Sequence, residues 1–459
     1  MNLVNAEAEQ PNFGANFWQD WEKPIHIEMF ETDGSTGFSV DAGVKIFGNW
    51  SRANPQKSLA FFTRSKYGSK LIKHQIFKDK PIKEFENIVL RNSGGDFLNA
   101  NMRDGMISSL VRNMGIDRQA YRPVKVYLNG EYWGTMALRE KINEHFIAAN
   151  HGLNSFEVQT FEWNGAPLNG SNKAYTELIS FLKNNNLSDD ANYQLVKQKI
   201  DIQSFINYYN SEIFIVNEDW PGNNYRMWTS SRADAKIRPI LFDTDFGFGT
   251  WQVEKFNNDM VSFALATLSE NYANSPEATF LLRKLMENNS FKIDFLNSAA
   301  DRLNTTFCTD SVLIHIDSIH YLIASEIESH NKRWNGDMDY FNANINNIKY
   351  FAEQRPEIAR SHYETYFNTQ GSFNLSLTLS SENAGRISLN SISLNRFPWS
   401  GKYFNDIPIT LTAIPAPGYR FIRWEGDDNS TNTTITVTNQ SANVALHAVF
   451  EFDKNLLPK

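Results

Sequence analysis

The sequence predicts an α+β protein with a β-rich N-terminal region, a helical centre and a small all-β C-terminal domain. Three observations carry this. Between residues 24 and 140, short runs alternate apolar and polar residues and close on Gly and Asn turns. From about residue 172 to 367, apolar residues recur at helical spacing. After Gln370 and Gly371 the chain returns to short alternating runs rich in Thr, Ser and Asn. The expected divisions are an extension over 1–23, a β-rich region over 24–140, a helical region over 141–369 and a β domain over 372–452.

The bulk properties exclude several function classes. The chain has 459 residues, enough for two or three domains with a large core, and is 41% hydrophobic and 21% charged. Its net charge of -8 argues against nucleic acid or an anionic membrane as the main partner. Cys308 is alone, which excludes an intramolecular disulfide and a cysteine-based zinc site. No run approaches the roughly 18 apolar residues of a membrane span. The opening MNLVNAEAEQ is too polar for a signal peptide, so the expectation is a cytoplasmic chain or an exported one whose signal has been removed.

In order, PIHIEMFETDG alternates through Ile25, Ile27 and Met29 up to an Asp33–Gly34 turn. VDAGVKIFGNW and SLAFFTR are the next two strands. The loop between them holds Gly48, Ser51, Arg52 and Lys57, residues able to cover nucleotide phosphates; a plain hairpin loop with solvated cations fits equally. IKEFENIVLRNSGGD is a short strand closed by a turn, flanked by Arg91 and Asp96. NMRDGMISSLVRNMG places Met102, Met106, Ile107, Leu110 and Val111 at helical spacing and stops at Gly115. Asp104, in its first turn, is either a partner for Lys57 or an acid favoured by the helix dipole. PVKVYLNGEYWGTMALREKI is the clearest hairpin, with Asn129 and Gly130 at the turn, and it ends at Glu140.

Residues 172 to 184 and 189 to 216 read as helices, the second with Ile202, Phe205, Ile206, Tyr209, Ile213 and Val216 along one face. Helical patterns continue past Gly249 to about Phe367. His315, His320 and His330 fall at no metal-ligand spacing and read as helix-face residues. HExxH, GxSxG and GxxxxGK[ST] are all absent, so zinc peptidase, triad hydrolase and P-loop readings have no support. In the C-terminal domain Tyr419, Phe421 and Trp424 are expected in the core, with sugar stacking at Trp399 or Trp424 as the alternative.

The chemistry concentrates between Asn217 and Gly249, NEDWPGNNYRMWTSSRADAKIRPILFDTDFGFG. Asp219 and Asn224 are five residues apart, the offset between the catalytic-loop Asp and the metal-binding Asn of protein kinases. About twenty residues on, an apolar strand runs into Asp243 and Asp245 and then glycines. Phosphoryl transfer asks a protein chiefly to position a nucleotide and neutralise charge, so one base, oxygen ligands for Mg²⁺ and a few cations suffice. Loops favour Asp and Asn on their own account; the order helix, D-x4-N, strand, D-x-D-x-G is what points to chemistry.

Residues 24 to 368 resemble the spore-coat-protein-H (CotH) kinase family. The resemblance is carried by GVKIFGNWSRANPQKSLAFFTRSKYG, FENIVLRNSGGD with the following MRDG, VYLNGEYWGTMALREKI, NEDWPGNNYRMW and PILFDTDFGFG. It implies an atypical, bilobal protein-kinase fold, ATP with Mg²⁺ or Mn²⁺, and transfer to Ser or Thr of a protein. On it Asp219 matches the catalytic Asp, Asn224 the metal-binding Asn and Asp243 the metal-binding Asp, with Asp245 a second candidate. Arg52, Lys57, Asp104 and Glu140 are the expected nucleotide-side residues. The sequence departs from ordinary kinases in having Asn217 and Glu218 before the Asp and in lacking a GxGxxG loop. PAPGYRFIRWEGD with ALHAVFEF resembles bacterial β-repeat modules of surface proteins, which implies a surface or secreted setting and glycan or protein contact. The readings carried forward are a protein kinase, a non-catalytic surface scaffold of the same fold, and transfer of AMP instead of phosphate.

Overall fold

The computed structural model describes residues 14–438 and 443–456. Of the 1–23 extension, residues 1–13 lie outside the described residues. The chain is mixed α and β, with a β-rich N-terminal region, a helical region and an all-β C-terminal region.

The N-terminal sheet has six antiparallel strands in the order Lys23–Phe30, Thr36–Phe47, Ser58–Phe62, Asn87–Arg91, Glu131–Glu140, Tyr121–Leu128. Strand alternation gives it two unlike faces. One carries Phe61, Ile88, Leu90, Met136 and Leu138, which pack with Ile72, Ile76, Phe77 and Phe85 into a core of their own. The other carries Lys45, Ala60, Val89 and Arg139, aligned across four strands by register. Asn129 and Gly130, both at positive φ, close the last hairpin as their dipeptide predicts.

A second sheet orders Pro167–Asn169, Val158–Glu162, Arg226–Ser230, Arg238–Leu241 and Asp117–Arg118. The expected helix over 189–216 is two helices, Asp190–Lys199 and Ile202–Ile215. Asp201 separates them: its carboxylate accepts from Ser204 N–H and caps the second helix, and a capping acid outcompetes continuation of the first. Beyond 249 the long helices are Asn289–Leu303, Thr309–Trp334 and Met338–Phe367. No helix among the described residues is long and apolar enough to cross a membrane.

The C-terminal region is a pair of four-stranded sheets, with strand orders Trp399–Phe404, Ser372–Leu379, Val444–Phe452, Tyr419–Gly426 and Ile392–Leu394, Gly385–Leu389, Ile409–Pro415, Thr434–Val437. Its core is continuous with that of the helices. Asp301, fully buried on Asn289–Leu303, accepts from the Ser391 N–H and hydroxyl, the Tyr403 hydroxyl at 2.8 Å and the Asn390 amide. Asn304 exchanges hydrogen bonds with the Lys402 backbone, and a Cβ on Gly401 would press into Asn304, which ties this glycine to the close approach. Trp424 is fully buried against Phe421, with its indole N–H donating to Asn432 O. That corrects the sugar-stacking alternative at Trp424, whose ring presents no free face; Trp399 is half-buried and packs toward Tyr403.

Candidate active site

The helix Ile202–Ile215 ends at Val216, a β-branched residue at φ 57°, and this costly turn leads the chain out of the helix to Asp219, which is buried. Two buried groups hold the turn. Arg355, fully buried on Met338–Phe367, donates to the carbonyls of Ile213 and Phe214 at the helix C-terminus and to those of Phe256 and Asn258. Those helix-end carbonyls have no intrahelical donor, and a cation there also meets the negative end of the helix dipole. Burial, offset only in part by Tyr363 and the Asp259 charge, pushes the Arg355 guanidinium down to about 10. Glu212 accepts from the Asn217 amide at 3.0 Å, and Asn217 Oδ1 accepts from Asp219 N–H at 3.2 Å. Burial raises the Glu212 carboxyl to about 8. Trp220, fully buried against the edges of Tyr208 and Tyr209, anchors the loop itself.

Asn224 and Asp243 meet because of hairpin register. Arg226 pairs with Ile240, so the residues just before and just after the two strands lie side by side. Both are at positive φ, which Asn and Asp tolerate better than most residues. The Asn224 amide donates to Asp219 Oδ2 at 2.7 Å and reaches Asp243 O at 3.5 Å. Asp219 Oδ1 accepts from Asn223 at 2.9 Å and from the Tyr272 hydroxyl at 2.6 Å. Burial raises the Asp219 carboxyl above its ordinary range, partly offset by those hydrogen bonds and reinforced by the nearby Asp243 charge.

Arg91, at the end of Asn87–Arg91, ties the acids together. It pairs with Asp243 through Nη2 and with Asp104 through Nη1 at 3.4 Å. Asp245 is buried and accepts from Gly95 N–H. Burial and the Asp243 charge drive the Asp245 carboxyl well above its ordinary range. Asn224 Oδ1, Asp243 Oδ2 and Asp245 Oδ1 accept no hydrogen bond among the described residues. Also among the described residues, no three His, Cys, Asp or Glu side chains cluster as a metal cage. An amide and two carboxylates suit Mg²⁺ or Mn²⁺ held mostly by phosphate and water, a hard ion that needs few protein ligands.

The expected nucleotide-side residues sit differently. The Lys57–Asp104 pair is not formed. Asp104 is buried and bound by Arg139, Arg91 and both donors of Thr244; burial alone would raise its carboxyl, and these partners hold it well below the usual range. Lys57 Nζ donates to the carbonyls of Arg52 and Asn54 at 2.7 and 2.6 Å, and burial lowers its ammonium to about 8. Arg52 binds the carbonyls of Gly48 and Trp18. Glu140 pairs across the sheet with Ile88, on the core face, while its neighbour Arg139 takes the opposite face. Its carboxylate is held by Lys80, Asn150 and Ala120 N–H, at the lining of a cavity of about 600 Å³.

Sequence reading missed Arg91 as a site residue, and also Arg139, Tyr272, Glu212 and Arg355. It missed Lys45 and Lys141 too, whose ammonium groups lie 6.0 and 5.6 Å from the centre of the Phe62 ring. Only Arg91 and Arg139 carried a signal, as cations on strands that otherwise read as buried.

Comparison with known proteins decides the family. A model of the CotH kinase protein family matches residues 44–359, more than two thirds of the chain. The chain belongs to the CotH kinase family. A model of the divergent InlB B-repeat domain matches residues 376–454, in agreement with the resemblance to bacterial repeats. None of the curated proteins compared with the chain matches it. Asp219, Asn224, Asp243, Asp245, Arg91 and Asp104 all lie within the family match.

Proposed function

We propose that this CotH family member is a bilobal, kinase-like phosphotransferase that moves the γ-phosphoryl of ATP to Ser or Thr hydroxyls of a protein. The observation that carries the reading is the convergence of Asp219, Asn224 and Asp243 on one spot beside Arg91. Asp219 is the base that receives the acceptor proton, and its raised affinity for a proton suits that role. Asn224, Asp243 and Asp245 would hold Mg²⁺ or Mn²⁺, which neutralises phosphate charge when bound.

The sheet face that carries Arg139 supports a track for the nucleotide. Asn87, Val89 and Arg91 alternate onto it along one strand, with Asn87 at the 600 Å³ cavity and Arg91 at Asp243. Four residues of strand span about 13 Å, a length that an extended nucleoside triphosphate covers. The base then enters the cavity beside Lys141, whose ammonium is a cation for the phosphates. The repeat domain supports a surface or secreted setting.

The test is incubation with γ-labelled ATP and Mn²⁺ in the presence of acidic and basic protein acceptors. Transfer by the intact chain, lost in Asp219→Asn and Asp243→Asn proteins of unchanged circular dichroism, is the expected result. Transfer that persists in both variants would overturn the reading, and an acceptor gaining AMP in place of phosphate would reassign the reaction.

A further inference from the structure

Tyr272 stands out among the aromatic residues near the site. Its side chain is 71% exposed, yet its hydroxyl donates to Asp219 Oδ1 at 2.6 Å. A tyrosine that serves packing is buried along its ring; this one lies in solvent and brings only its tip to the base. Its backbone is pinned at the catalytic loop. Gly222 N–H donates to Ala273 O, and a Cβ on Gly222 would lie 2.6 Å from that oxygen, so residue 222 admits the approach only as glycine. The buried Asn274 closes the turn, its Oδ1 accepting from Glu270 N–H at 2.8 Å and Asn271 N–H at 3.1 Å. The segment is therefore held as an acceptor peptide would be, with a hydroxyl on the general base.

We propose that Tyr272 is a phosphorylation site of this chain, modified in cis at its own active site; this rests on the kinase reading above. In the step, Tyr272 Oη forms a bond to the γ-phosphorus of a nucleoside triphosphate. The bond from that phosphorus to the β–γ bridging oxygen breaks, and the nucleoside diphosphate leaves with the electron pair. The phenolic proton passes to Asp219. Partial burial and the Asp219 carboxylate both keep the hydroxyl protonated, so a base at hydrogen-bond distance is what the step requires. Once formed, the tyrosyl phosphate places added negative charge beside Asp219.

The full chain is incubated with γ-labelled ATP, Mn²⁺ and a generic basic acceptor protein, and labelled sites are mapped by mass spectrometry. The expected result is phosphate on Tyr272, at a first-order rate unchanged over a thirtyfold dilution of the chain. The label is lost from that peptide in Tyr272→Phe and falls at least a hundredfold in Asp219→Asn. An acceptor protein that is labelled while Tyr272 stays bare overturns the inference and leaves the kinase reading standing. No transfer to either overturns both. A rate on Tyr272 that rises in proportion to chain concentration overturns the cis geometry.

Discussion

Two acidic sites, Asp301 on the helix Asn289–Leu303 and Asp243 with Asp245 in the loop after the strand Arg238–Leu241, behave in opposite ways. Asp301, where the repeat domain docks, receives four hydrogen bonds from Ser391, Tyr403 and Asn390, and both of its oxygens are used. At the candidate site Asp243 and Asp245 each keep an oxygen without a donor among the described residues, and the backbone there runs through positive φ at Val216, Asn224, Asp243 and Phe248. A saturated acid fixes two surfaces together. Acids left partly unsatisfied, on strained backbone, are arranged for something that arrives from outside.

The sharpest break of that contrast is chemical. Replacing Asp219 by Asn keeps the shape and removes the base, and should cost about 10²- to 10⁴-fold in the transfer rate. The same variant should melt no lower than the natural chain, because Asp219 carries a raised proton affinity and its ionised form is disfavoured by burial and by Asp243. Rates on a protein acceptor and thermal melts of one preparation measure both; a variant that loses rate and melting temperature together would make Asp219 a structural acid like Asp301.

The converse variant, Asp301→Ala, should leave the transfer rate per folded molecule unchanged and destabilise by about 3 kcal/mol. The cost comes from leaving the buried Tyr403 hydroxyl, and with it the donors of Ser391 and Asn390, without an acceptor. Urea unfolding followed by tryptophan fluorescence reads this, and a change below about 0.5 kcal/mol would mean that the docking contact is not energetically coupled to the fold.

Legibility in the sequence follows the same division. The three regions were readable because periods of 2 and 3.6 residues and turns such as Asn129–Gly130 are local signals. Asp219, Asn224 and Asp243 were readable because their spacing is local on each side of one hairpin, and register closes the gap between them. Glu140 and Arg139 take opposite faces of the sheet, and alternation alone does not say which face meets the helices: Glu140 lines the cavity, while Arg139, one residue earlier, reaches Asp104. Lys57 was given to Asp104 by analogy of order, whereas Arg139 and Arg91 reach Asp104 from strands that lie far along the chain. Arg355 lies 140 residues beyond the helix end it holds, a distance no local pattern spans. Its replacement by Met should cost about 2–4 kcal/mol, between the two variants above in breadth of effect, since four carbonyls lose their donor. Lower melting together with lower transfer would mark it as the support under the catalytic loop.

The smallest and most specific effect concerns Glu212, which lies between the two classes: buried like Asp301, yet held by fewer donors, the Asn217 amide chief among them. Burial raises its carboxyl from an ordinary value of 4.5 to about 8. For an acid whose proton affinity is higher in the folded state, the contribution to stability is fully present below pH 4.5 and is lost as pH rises through 8. Within that window the loss approaches about 1.4 kcal/mol per pH unit for one proton. Glu212→Gln copies the neutral acid at every pH, and its amide can still meet Asn217. Its unfolding free energy should therefore change by about 1 kcal/mol less than that of the natural chain between pH 6 and 7. Parallel slopes in urea titrations at those two values would show that Glu212 is ionised in the fold, and the chain from Glu212 through Asn217 to the Asp219 amide would then be held by a charged carboxylate.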